Sequence, residues 1–331
     1  MIRTRSRSLA GLLIVLMIFL FSGTTSAEES SLKKISFIPL WKAQAQFAGY
    51  YVAYDKGIFR KYGLDVTILE GGPDHPPIEQ LKDKKADFGI SWLSSAIQWR
   101  SRGVKLVNIG QVSQRSALLL VAKKSSGILK PGDMQGKKVS LWEGDLQLQP
   151  KAFFRKYKLN PEIIPQSYTV NLFLMGGVDV VSAMWYNEYK TILNSGLDPD
   201  ELTAFFLSDH GLNFPEDGIY ALEETVEKDP LAAAAFVKAC LEGWAYAFEH
   251  PDEALDIVLK YMRQAHVPAN RLHQQWMLSR MKDLICPPDT GGRPGELNKD
   301  DYERVVKELI NNDLIEAAPG FKEFYQTFYK Q

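Results

Sequence analysis

ISFIPLWKAQAQFAGYYVAYDKGIFRKYGLDVTILEGG, residues 35–72, is the stretch whose reading decides the fold. The apolar run 35–40 reads as a buried strand. A polar and aromatic turn, 41–47, follows it. Ala48, Tyr51, Val52 and Tyr54 then recur at helical spacing up to Gly57, a C-cap residue. A second short helix over 58–62 stops at Gly63, and 64–69 alternates as a strand before Glu70-Gly71-Gly72. The stretch is a β-α-β unit. Its loops, 41–47 and 70–75, are expected at the carboxyl ends of parallel strands, the edge where open α/β sheets hold ligands.

Working outward, strand and helix patterns alternate. A helix over 77–84, opened by Pro77, is followed by a strand over 86–91 and a helix over 93–101, then strands over 105–112 and 117–122. A turn-rich connection, 123–136, precedes a second α/β unit. Its strands are read at 138–142, 162–166 and 178–184, its helices at 150–157, 171–175 and 188–194, with a loop over 143–147. Strands over 202–207 and 218–222 read as returning towards the first half. From Pro230 onward the pattern is helical, with Phe236, Cys240, Trp244 and Phe248 on one buried stripe and new helices opened by Pro251 and Pro268. The expected architecture is α/β in two lobes. Residues 28–121 with 218–331 form the first lobe and 122–217 the second. Crossings near 117–123 and 217–222 make a hinge, and the C-terminal helices pack on the first lobe.

The 331 residues, 45% of them apolar, can bury cores for two lobes. Net charge is −1. Residues 1–27 read as a secretory signal: Arg3, Arg5 and Arg7, an apolar run over 9–21, then Thr25-Ser26-Ala27 for cleavage. Removing those three arginines from −1 leaves −4, which gives no broad basic footprint and excludes nucleic acid as the expected partner. No cysteine lies near the cleavage site to invite lipidation. Cys240 and Cys286 permit one disulfide in an oxidising compartment, but Cys240 on an apolar stripe reads as a buried free thiol. The five histidines show no metal-ligand spacing, and no nucleophile elbow or phosphate loop is present, so neither metal nor cofactor is expected.

The string Trp41…Gln46-Phe47-Ala48-Gly49-Tyr50-Tyr51-Val52-Ala53, with Lys56-Gly57-Ile58-Phe59 and Tyr62-Gly63-Leu64-Asp65-Val66, resembles one family. It is similar to the periplasmic substrate-binding proteins of ABC importers that are related to thiamine pyrimidine synthase. Sulfonate, nitrate and riboflavin binding proteins are also similar. Ala86-Asp87-Phe88-Gly89-Ile90, Gly136-Lys137-Lys138-Val139 and the block from Val178-Asp179 to Tyr186-Asn187-Glu188-Tyr189 extend the resemblance over most of the chain. It implies a type II periplasmic binding protein: a periplasmic monomer that takes a small molecule between its lobes and delivers it to an ABC permease and ATPase. It also implies a competing enzyme, the synthase, which holds pyridoxal phosphate on a lysine and consumes its own histidine. Here Ser91 stands at the lysine position and Ser95 at the histidine position, while 213–217, at the cysteine-rich segment, has no cysteine. A serine can neither form a Schiff base nor supply imidazole atoms. A ligand sensor serving a separate membrane receptor is the third class.

Candidate ligand-binding residues follow from strand ends and from the resemblance. Trp41, Phe47, Trp92, Trp142 and Tyr186 could flank a planar ring, with Trp41 and Trp142 the leading pair because each follows a strand. Gln46 and Asn187 supply amides, and Glu70, Glu143, Glu188 and Asp217 supply acceptors for ring amines. Glu143 and Asp145, in the loop after the strand over 138–142, would repel an anion. The expected ligand is a pyrimidine related to thiamine biosynthesis, with a flavin second and an aliphatic sulfonate third.

Overall fold

The computed structural model describes residues 32–288 and 293–328; the expected leader, 1–27, lies outside them. Ten strands form two five-stranded sheets. Strands β1 (Lys33–Ile38), β2 (Leu64–Ile68), β3 (Phe88–Trp92) and β4 (Leu106–Gln111) build the first sheet. Strands β5 (Leu118–Lys123), β6 (Lys138–Leu141), β7 (Glu162–Pro165), β8 (Val180–Met184) and β9 (Leu202–Phe206) build the second. The chain then returns, and β10 (Asp217–Leu222) enters the first sheet between β3 and β4.

The opening unit behaves as read. Lys33 to Phe37 pair in parallel with Leu64 to Ile68, and β1 also runs parallel to β3. In the second sheet β6 is parallel to both β7 and β8. Each sheet also takes one strand that lies next to a crossing and runs antiparallel to its neighbours: β10 in the first, β5 in the second. Two details differ from the sequence reading. β5 pairs with β8 and β9 over its whole length, so the outward crossing lies in 112–117 and the boundary drawn at 121/122 falls inside a strand. β9 stays on the edge of the second sheet, and only β10 returns. Both strands are apolar runs, which single out burial but not the sheet that buries them.

The core of the first half is organised on the helix Pro230–Glu249. Its Phe236 stacks on Phe88 at 4.5 Å and on Phe59 at 5.3 Å between ring centroids. By length and a mean hydropathy of 1.2 this helix could cross a bilayer, but half of its most apolar window is buried inside the protein, as a core helix requires. It crosses the helix Ala48–Asp55 at closest approach. A Cβ on Gly49 would stand 2.3 Å from Trp244 Cγ, so only glycine admits the indole there. Phe47, Tyr50 and Tyr220 belong to this core, each 1% exposed or less. Cys240 is a buried free thiol and Cys286 an exposed one.

The C-terminal helices do more than cover the first sheet. The helix Arg271–Ile285 starts three residues beyond Pro268, with the Asn270 side chain accepting from the His273 N–H as its cap. Its Trp276 indole N–H donates to the Trp185 carbonyl after β8 at 2.9 Å. Arg280 lies over the Trp185 and Trp276 rings, 4.5 and 4.8 Å from their centroids. From the helix Lys299–Asn311, Glu308 pairs with Arg155 of the second half. These contacts link the two halves in addition to the strand crossings.

Candidate ligand-binding site

The carboxyl ends of β1, β3, β6 and β8 face one another across a cleft, and each delivers an aromatic residue. Trp41 follows β1, Trp92 ends β3, Trp142 follows β6 and Tyr186 follows β8. Together with Gln44, Gln46, Leu146, Tyr168, Asn187 and Glu188 they line a cavity of about 280 Å³. Trp41 is held in place by backbone. A Cβ on Gly71 would fall 2.2 Å from the Pro39 carbonyl oxygen and 2.6 Å from that of Trp41, so glycine lets the loop after β1 lie against the end of β2. Trp41 meets Tyr168, from the segment after β7, with ring centroids 6.0 Å apart across the mouth. The Trp142 indole N–H donates to the Ser167 carbonyl at 3.1 Å, which turns the ring's apolar faces, and no donor, towards the cavity.

The polar groups form a connected set. Gln44 Nε2 donates to Gln46 Oε1 at 2.7 Å, and Gln46 Nε2 donates to Asp217 Oδ2 at 2.9 Å. Burial pushes the Asp217 carboxyl up to about 7, against the hydrogen bond from Gln46. Its neighbour Glu216 accepts from Ser116 Oγ and from the Ala117 N–H at 3.0 and 2.8 Å, tying the returning crossing to the outgoing one. Burial and the Asp217 charge push Glu216 up to about 8. The buried Tyr186 phenol is raised by desolvation and by the nearby Glu216, Asp217 and Glu188 carboxylates. On the opposite wall Glu188 accepts from the Met184 N–H at 3.0 Å and from Asn187 Nδ2 at 2.7 Å, and burial raises its pKa. Because Asn187 spends its amide N–H on Glu188, its Oδ1 accepts from His273 Nε2 at 2.9 Å.

Of the residues singled out from sequence, Trp41, Gln46, Trp92, Trp142, Tyr186, Asn187 and Glu188 meet in this cavity, with Asp217 directly behind Gln46. Three do not. Phe47 is fully buried in the core. Glu70 lines a separate depression with Lys42, Tyr51 and Tyr54. Glu143 is exposed ahead of the turn Gly144–Gln147 and its side chain caps nothing. Asp145 is engaged elsewhere: it accepts from Ser95 Oγ and, at 2.7 Å, from Gln98 Nε2, both on the helix Leu93–Ser101 of the first half. The carboxyl groups at the site are therefore those of Glu188, Asp217 and Glu216 and not those of the loop after β6. Gln44, Leu146, Tyr168 and His273 were not legible as site residues. Tyr168 and His273 reach it only through packing of the two halves.

Fold and site together define the class: a two-lobed periplasmic-binding-protein architecture with an aromatic cleft at the strand ends. It superposes on the periplasmic aliphatic sulphonate binding protein SsuA of Escherichia coli with a TM-score of 0.69. That match covers 88% of this chain and 91% of that one, at 16% identity. The chain belongs to the NMT1/THI5-like family, whose pattern matches residues 44–254. A putative thiamine biosynthesis protein of Haemophilus influenzae is 25% identical over 88% of this chain and 91% of its own. The formylaminopyrimidine-binding protein of Halalkalibacterium halodurans is 23% identical over 92% of this chain and 93% of its own.

Proposed function

We propose that this protein is the substrate-binding component of an ABC importer, exported to the periplasm, which captures a small planar nitrogen heterocycle of the thiamine-pyrimidine class. The observation that carries the reading is the composition of the cavity: five aromatic side chains, three amides and one carboxylate, with no lysine or arginine among the described residues that line it. Rings stack on rings, contributing ~0.5–1.5 kcal/mol beyond the area buried. Carboxylates and amide oxygens suit ring N–H donors. The family membership and the pyrimidine-binding relative support the same class. In this reading the two crossings are the hinge, Trp41 and Tyr168 meet on closure, and the cargo passes to a permease and ATPase pair.

A sulfonate brings only acceptors and a full negative charge to a cavity that offers no cation, so it ranks last. A flavin ranks second, its wider ring system fitting the same walls. Catalysis of the synthase type is disfavoured because Ser91 and Ser95 offer hydroxyls where a Schiff-base amine and an imidazole are needed. Mass spectrometry of ligand released from the purified protein, followed by titration with a 4-aminopyrimidine, riboflavin and an alkyl sulfonate, tests the reading. The pyrimidine should bind tightest, and Trp142→Ala should weaken it by ~1–3 kcal/mol, a buried aromatic's share. Tighter binding of the sulfonate than of either heterocycle would refute the ligand class.

A further inference from the structure

Beyond the Trp41–Trp92 wall lies a second chamber of about 330 Å³, which adjoins the first at Leu40, Trp41, Trp92 and Leu146, residues that line both. Pro73, Pro76, Pro77 and Ile78, from the segment after β2, form one side and Trp99 another. Its side-chain polar groups are few. Ser95 Oγ donates to Asp145, and Asp145 also accepts from Gln98, which leaves the buried Ser91 hydroxyl and the indole N–H groups of Trp41, Trp92 and Trp99 as the uncommitted polar groups of its described lining. Among the described residues, no lysine, arginine or amide side chain lines it. Asp145 and Leu146 come from the second half and the remaining walls from the first, so the chamber is assembled by the same juxtaposition that forms the cavity beside it.

A single chamber of 280 Å³ falls just under the ~300–1,000 Å³ span of small-molecule sites, whereas the two together lie well inside it. We propose that the second chamber is a subsite for an apolar extension of the ligand, so that the cargo is a planar heterocycle bearing an aryl or alkyl group and not a lone pyrimidine ring. This rests on the heterocycle reading above and deepens it. The division of labour is physical. The amide and carboxylate groups of the first chamber orient a hydrogen-bonding ring, while proline, isoleucine and tryptophan walls reward only the removal of apolar surface from water. A charged or hydroxylated extension would lose its hydration there and find few partners in return.

The test is calorimetric titration of the full mature chain with two probes, 4-amino-2-methylpyrimidine and the same ring carrying a phenylethyl group. One methylene in an apolar pocket changes affinity by ~10- to 200-fold, so the extended probe should bind at least tenfold tighter. Pro76→Glu, on the exposed rim of the second chamber, and Trp99→Ala should each abolish that advantage while leaving affinity for the bare ring unchanged. Trp142→Ala should weaken both probes. If the bare ring binds and the extension adds nothing, the subsite is overturned and the heterocycle reading stands. If the extended probe binds tighter but neither Pro76→Glu nor Trp99→Ala alters the ratio, the extension sits elsewhere and the subsite is likewise overturned. Binding of neither probe would overturn both.

Discussion

Asp145→Ala should open the molecule without touching the ring-binding walls. The carboxylate belongs to the turn after β6, yet both its donors, Ser95 Oγ and Gln98 Nε2, stand on the helix Leu93–Ser101 of the other half. A hydrogen bond to a charged group contributes ~1.5–3 kcal/mol. Asp145 is only half-buried, so we take the two bonds together as ~2–3 kcal/mol and not as twice that range. Alanine removes both. Asparagine keeps an acceptor for Gln98 and a donor that the Ser95 hydroxyl can accept, and loses only the charge, about 0.5–1 kcal/mol. At ~1.4 kcal/mol per tenfold, alanine should shift the closed-to-open ratio by roughly 30- to 150-fold and asparagine by less than about tenfold. Small-angle scattering and a pair of fluorophores, one on each lobe, read that ratio in the ligand-free protein. The accompanying expectation is faster ligand release in the same rank order. A distance distribution for Asp145→Ala that matches wild type would refute the reasoning, because it would show that the bonds form without bearing on closure.

Two further outcomes are expected. Glu216 and Asp217 hold their protons to about pH 8 and 7, against ordinary values of 4.5 and 3.8. The folded chain therefore binds these protons more tightly than the unfolded one, and their contribution, complete below about pH 4, is lost as pH rises towards 8. Thermal melting should fall between pH 5 and 8, by at most ~1.4 kcal/mol per pH unit for each group, and Asp217→Asn should flatten the profile; a profile identical in the variant would remove Asp217 from the account. Gly49→Ala should destabilise the first half by ~1–3 kcal/mol through overpacking against Trp244, read as a lower denaturation midpoint, whereas an unchanged midpoint would mean the two helices can separate without cost.

The sequence by itself determined the alternation of strands and helices and, with it, which residues stand at strand ends. Trp41, Trp92, Trp142 and Tyr186 were legible as cleft residues because a strand's end is marked locally, by the change from an apolar run to polar and turn residues. Tertiary structure decided three things that no local pattern records. The first is sheet membership: β5 and β9 read as apolar strands, but only pairing assigns both to the second sheet. The second is which polar groups remain available. Glu188 and Asn187 read as free ligand-binding groups and Asp145 as a free loop charge, yet Met184, His273 and Ser95 already satisfy part of their capacity. The third is the second chamber, whose walls come from segments near residues 73–78, 99 and 146. Hydrogen-bond partners and cavity walls are set by residues far apart in the chain, so they exist only once the two halves have packed together.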